Sequence, residues 1–188
     1  LTDWDETERK RGITIYSAAV SFPWRGHTVN LIDTPGHVDF GAEVERSMRV
    51  LDGAVVVIDA KEGAEAQSET VWRQADRHGV PRICLVNKMD SVGADFDASV
   101  RSLHDRLEAK PAVIHLPLGE GQGFVAFIDL IRMVRVEYSA DGAFRESPVA
   151  RELSGRAAAA RSALVEAVGD GDDAIAELYL RGADVPAD

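Results

Sequence analysis

A chain of 188 residues with 21 Lys and Arg against 32 Asp and Glu carries a formal charge of −11. That charge argues against broad, nonspecific nucleic-acid binding, because phosphate contacts require cations, but leaves room for docking on a ribonucleoprotein through a local basic patch. Hydrophobic residues at 45% and charged ones at 28% make the chain globular rather than disordered, with no apolar run near the roughly 20 residues of a membrane span.

Its length suffices for one sizeable core, or a core with a small appendage. The single Cys84 has no partner for an internal disulfide, which fits a reducing compartment. The chain starts at Leu1 rather than Met, and a fragment is the expectation.

The opening Asp3-Trp4-Asp5-Glu6-Thr7-Glu8-Arg9-Lys10-Arg11-Gly12 is dense in charge and reads as a loop. Arg9-Lys10-Arg11 forms a local basic patch within it. In Ile13-Thr14-Ile15 the Thr14 hydroxyl can ligate Mg²⁺, although a threonine between apolar neighbours is also an ordinary strand residue. Residues 18–24 and 28–32 read as two strands joined by the turn Arg25-Gly26-His27.

This hairpin feeds Asp33-Thr34-Pro35-Gly36-His37. A carboxylate at a strand end can hold Mg²⁺ through water, and Gly36, without a Cβ, lets its N–H approach a terminal phosphate oxygen. His37 follows where a side chain could orient an attacking water. An Asp-x-x-Gly is equally a common turn before a helix. Val44, Met48 and Leu51 then share one face of a helical run.

Gly53-Ala54-Val55-Val56-Val57-Ile58-Asp59 is continuously apolar, as a strand buried on both faces of a parallel sheet would be. Residues 65–78 read as a helix, with Val71, Trp72 and Ala75 together and Gly79 closing it. Ile83-Cys84-Leu85-Val86 is a second buried strand. Alternating strands and helices predict a doubly wound α/β sheet, whose ligands bind at the carboxyl ends of its strands. Asp33 and Asn87 both stand at such ends.

In Asn87-Lys88-Met89-Asp90 the carboxylate of Asp90 can accept guanine N1–H and N2–H₂ as a bidentate pair. Asn87 can tie the loop together or contact N7, and the Lys88 stem can lie along the base. A polar turn after a strand is the plainer reading of the same residues.

A helix with Phe96, Val100, Leu103 and Leu107 on one stripe should run to about Lys110-Pro111. Strands follow over 112–118, 124–130 and 133–138, with Asp141-Gly142 marking a hairpin. A helix over 148–168 carries Val149, Leu153, Ala157, Ala160, Leu164 and Val168 as a packing stripe, and a short helix with Ile175, Leu178 and Tyr179 closes the chain. The loop Gly119-Glu120-Gly121-Gln122-Gly123 is not followed by Gly-Lys-Ser or Gly-Lys-Thr and is no phosphate cradle. His104 and His115 lack Cys or carboxylate partners at zinc-ligand spacing.

Together Arg11-Gly12-Ile13-Thr14-Ile15, Asp33-Thr34-Pro35-Gly36-His37-Val38-Asp39-Phe40, Glu43-Val44-Glu45-Arg46-Ser47, Val50-Leu51-Asp52-Gly53-Ala54 and Asn87-Lys88-Met89-Asp90 resemble the GTPase domain of translation elongation factor G. Gln67-Ser68-Glu69-Thr70-Val71-Trp72-Arg73-Gln74-Ala75 fits that family more closely than other translational GTPases.

The resemblance implies a P-loop-type GTPase sheet lacking its P-loop strand, with residues 1–110 a partial GTPase core and 111–188 a small α+β insertion subdomain. It makes Thr14 and Asp33 the Mg²⁺ ligands, Ile13 part of an apolar gate, and Asp33 and Gly36 the holders of metal and terminal phosphate. His37 becomes the residue that positions the hydrolytic water on the ribosome, and Asn87, Lys88 and Asp90 become the readers of guanine. GTP or GDP with Mg²⁺ are the implied ligands. The ribosome, through large-subunit rRNA and stalk proteins, is the implied partner, and the cytoplasm the implied compartment, with an organellar matrix as the alternative.

Departures from the pattern are Lys10, Ser91 and the lack of both a Gly-Lys-Ser/Thr loop and the final Ser-Ala motif. The isolated 188 residues should therefore bind nucleotide poorly and be inactive alone. Trp24-Arg25-Gly26 and Ala109-Lys110-Pro111 with Leu116-Pro117-Leu118-Gly119 also bear a faint resemblance to the second organellar, ribosome-recycling type. A ribosome-protection protein or a non-hydrolysing GTP-dependent module are further alternatives.

Overall fold

In the computed structural model, which describes residues 17–35, 41–139, 143–183 and 185–187, the first element is a hairpin. Strand β1 (Ala18–Trp24) pairs antiparallel with β2 (His27–Asp33). His27, expected in the turn, lies in β2 opposite Trp24. The turn shrinks to Arg25 and Gly26, with φ of 45° and 81°. Both angles are positive, as the type I′ turn that suits strand twist requires.

Helix α1 (Gly41–Met48) turns Val44 and Met48 inward. They form a cluster with Ala75 and Val80, packed by Leu51, Ala54 and Val71. Strand β3 (Ala54–Asp59), helix α2 (Ala66–His78) and strand β4 (Arg82–Asn87) follow. At the start of α2 the Ser68 hydroxyl accepts from the Glu65 N–H at 3.2 Å, and Gly79 ends the helix with φ 64°. Trp72 leaves the apolar cluster expected of it: the Arg82 guanidinium lies 4.1 Å from its ring centroid, and Arg82 also binds Asp76 at 2.6 Å.

The Ala54 N–H donates to Pro81 O and the Ala60 N–H to Asn87 O, both at 2.9 Å. The equal offset at the two ends makes the β3–β4 pair parallel. This sheet is separate from β1–β2 among the described residues.

Burial of β3 and β4 on both faces is not observed. Val55, Val57, Ile83 and Leu85 are 53–64% exposed, while the alternate residues turn inward. A continuous apolar run states that both faces can be covered, and no described residue covers this one.

The described residues fall into two compact units, those of Leu1–Val57 with Ala64–Leu85, and those of Ile58–Gly63 with Val86–Asp188. The second holds α3 (Phe96–Leu107) and an antiparallel sheet of β5 (His115–Leu118), β6 (Ala126–Asp129), β7 (Val134–Tyr138) and β8 (Phe144–Pro148), in that spatial order. Helix α3 stops earlier than Lys110: Glu108 caps it with φ 54°. Pro148 ends edge strand β8 opposite Val134 instead of opening a helix. Edge strands tolerate proline because its missing N–H leaves no ladder bond unmade.

A 3₁₀ turn at Arg151–Leu153 then leads into α4 (Ser154–Gly169), and Asp172 caps the last helix, α5 (Asp173–Leu180). The Asp141-Gly142 turn lies outside the described residues.

Leu116 sits opposite Ile128, and both meet Leu130, Ala157 and Leu164 in the core of this unit. Val149, Leu153, Ala160 and Val168 pack against it, so the expected stripe is the buried one. Ile128 is fully buried, and Ile128→Ala should cost about 2–5 kcal/mol. Urea unfolding followed by circular dichroism measures it, beside exposed Val125→Ala as a control within about 0.5 kcal/mol of the parent. Equal midpoints for the two variants would refute this core.

Candidate functional site

Residues 87–90 leave the carboxyl end of β4, the side on which parallel sheets bind ligands. Asn87, Lys88 and Asp90 are exposed, whereas Met89 between them is buried with Ala60 and Ala94. The thioether anchors the loop in apolar surroundings and leaves its polar neighbours facing water.

Backbone bonds hold the rest. Asn87 O accepts from the Ala60 N–H at 2.9 Å, Lys88 O from the Ser91 N–H at 3.0 Å, and Met89 O from the Gly121 N–H at 2.8 Å. Asn87 thus ties the loop through its carbonyl. The N–H of Asp95, the residue that caps α3, donates to Ala60 O at 2.9 Å, and the buried Ser99 hydroxyl is 3.2 Å from the same oxygen.

Lys88 has φ 59°, a left-handed conformation that costs a side-chain-bearing residue roughly 1–2 kcal/mol. Its ammonium donates to Asp59 Oδ2 at 2.7 Å, and Asp59 Oδ1 accepts the Lys61 N–H at 2.9 Å. The Lys88 hydrogen bond is the first cause that holds the Asp59 carboxyl below the usual carboxylate range. The same bond raises Lys88 above its ordinary value.

Beyond Asp59 the chain turns back at once, with the Gly63 N–H on Asp59 O at 2.8 Å. Gly63 has φ 69°, which strains any side-chain-bearing residue, and a Cβ there would lie 2.7 Å from Ser102 Oγ and force Ser102 to shift.

Asp33 closes β2, half-buried and opposite Ala18, in the first unit. Asn87, Lys88 and Asp90 share one loop in the second. Ile13, Thr14, Gly36 and His37 lie outside the described residues. Among the described residues no group of three or more His, Cys, Asp or Glu is arranged to hold a metal ion. The residue that sequence reasoning missed is Asp59. Its signal was a carboxylate at the carboxyl end of the strand neighbouring Lys88, legible only once β3 and β4 are known to be parallel partners.

The profile described as the elongation factor Tu GTP-binding domain matches residues 1–177. The chain belongs to that family. Elongation factor G 2 of Streptomyces coelicolor is 59% identical over 172 residues, covering 90% of this chain and 25% of the relative. A crystal structure from Thermus thermophilus superposes with a TM-score of 0.86 at 32% identity, covering 98% of this chain and 27% of that one. This family member therefore spans about a quarter of the length of each relative, over a mixed α/β fold. No described helix is long and apolar enough to cross a membrane.

Proposed function

We propose that the chain is the guanine-nucleotide-binding part of a ribosomal translocation factor of the elongation factor G type, a GTP phosphohydrolase when whole. Residues 1–110 form part of its GTPase core and 111–188 an insertion subdomain. The observation that carries this reading is the exposed 87–90 loop, anchored by buried Met89 at the end of a parallel strand.

Asp90 accepts the paired N1–H and N2–H₂ of guanine, a pair that adenine lacks, while Asn87 and the Lys88 stem complete the base contact. Thr14 and Asp33 are hard oxygen donors and suit Mg²⁺, with Gly36 offering its N–H to the terminal phosphate. The metal, when bound, neutralises charge on the phosphate oxygens. His37 orients the attacking water or takes its proton, and Ile13 gates it. Docking on the ribosome, through large-subunit rRNA and stalk proteins in the cytoplasm, is the event that completes this arrangement.

The 188 residues contain no Gly-Lys-Ser or Gly-Lys-Thr. Such a loop cradles the β- and γ-phosphates with backbone N–H groups and a lysine. A full-length protein carrying this segment and that loop should bind GTP in preference to ATP, and far more tightly than residues 1–188 alone. Equilibrium titration with fluorescent GTP and ATP analogues checks both statements. Indifference to the base in the full-length protein would sink the guanine reading, and equal GTP affinity of the two proteins would remove any need for the loop.

A further inference from the structure

We propose that Asp59 is a positioning residue for nucleotide binding: it pins the ammonium of Lys88 and so fixes the direction of the lysine stem at the base. The proposal rests on the reading of Lys88 as a nucleotide contact.

The geometry is specific about how the pin works. Asp59 divides its two oxygens between two tasks. Oδ1 takes the Lys61 N–H at 2.9 Å and closes the turn after β3. Oδ2 takes the Lys88 ammonium at 2.7 Å. Each task constrains the other, because an oxygen held by a backbone N–H leaves its twin with little freedom to swing away.

The turn itself is fastened by Gly63 on Asp59 O, and by Asp95 and Ser99 on Ala60 O. The Lys61 stem lies against Gly93, where a Cβ would be 3.7 Å from Lys61 Cγ. Asp59 is thus a fixed carboxylate, 28% exposed, gripping a lysine that is 61% exposed.

An exposed lysine loses rotamer entropy when it is ordered, and without a partner its stem would sample many directions. Lys88 is further set apart by its left-handed backbone, which aims the side chain as an ordinary strand exit would not. A stem held at both ends, by the backbone at Cα and by Asp59 at Nζ, presents its apolar flank at low entropic cost to a base plane. The effect on affinity is modest, since partly exposed ion pairs couple weakly.

The two oxygens allow the pin to be cut without loosening the turn. In Asp59→Asn the amide oxygen still accepts the Lys61 N–H, while the amide nitrogen that replaces Oδ2 cannot accept from an ammonium. The experiment is a double-mutant cycle on the full-length protein, titrating a fluorescent GDP analogue against the parent, Asp59→Asn, Lys88→Ala and the double variant, with thermal unfolding of each as a check on folding.

Asp59→Asn should weaken GDP binding about two- to fivefold without a matching fall in melting temperature. In the Lys88→Ala background the same substitution should have no effect. Parental affinity in Asp59→Asn, with Lys88→Ala clearly weaker, would overturn the pin and leave the role of Lys88 standing. An equal loss in both backgrounds would overturn it too, since Asp59 would then act through something other than Lys88. Parental affinity in Lys88→Ala would overturn the nucleotide role of Lys88 and the pin with it.

Discussion

Asp90→Asn, in a full-length protein that carries this segment, should shift the ratio of GTP to XTP affinity toward xanthine by on the order of 10²–10⁴. Guanine offers two adjacent donors, and the Asp90 carboxylate offers two acceptors on an exposed loop. Hydrogen bonds to a charged group are each worth about 1.5–3 kcal/mol. With an amide in its place, one acceptor becomes a donor facing the guanine amino group, and that contact turns repulsive. Xanthine carries a carbonyl at the same ring position, so the new donor finds an acceptor and the gain runs in the opposite direction. Competition between GTP and XTP for one site, at fixed ionic strength, gives the ratio directly. A protein that keeps its guanine preference after the substitution does not read the base with Asp90.

The extent to which this protein was legible in its sequence follows the range of the interactions involved. Gly79 as the end of α2 was legible because its cause is local, within a few residues of the backbone it satisfies, whereas the end of α3 at Glu108 fell short of the expected Lys110. The Ala157 and Leu164 stripe was legible for the same local reason as Gly79, since one helical period decides which side chains point together.

What required the structure was pairing between distant segments. The apolar runs over Val55 and Val57 and over Ile83 and Leu85 gave the strands but not the exposure of one face, which depends on what other elements cover. Pro148 likewise reads as a helix start until β8 is seen to pair with β7.

At the proposed site, Asn87, Lys88 and Asp90 could be grouped from the sequence because they lie within four consecutive residues, and the structure places them on one exposed loop. The Asp59 partner was not, because its approach to Lys88 depends on the register between two parallel strands. The roles assigned to Ile13, Thr14, Gly36 and His37 rest on the sequence, since those residues lie outside the described structure.

His37 tests the catalytic half of the reading. In the full-length protein, His37→Ala should leave GTP affinity within a few fold while slowing hydrolysis on ribosomes by on the order of 10²–10⁴. The separation follows from where the side chain acts. On the proposed reading Gly36, one residue earlier, would offer its N–H to the phosphate, so ground-state affinity would rest there, on the phosphate-cradling loop and on Asn87, Lys88 and Asp90 rather than on His37. A histidine that orients water, or takes its proton, interacts with a species whose charge develops only as the bond to phosphorus is made. An interaction confined to the transition state lowers turnover without loosening the nucleotide. Single-turnover hydrolysis with saturating ribosomes, beside a nucleotide titration, reads the two quantities separately. A parental hydrolysis rate would leave His37 as no more than the residue after a turn. Equal losses in affinity and rate would place it on the nucleotide itself rather than on the water.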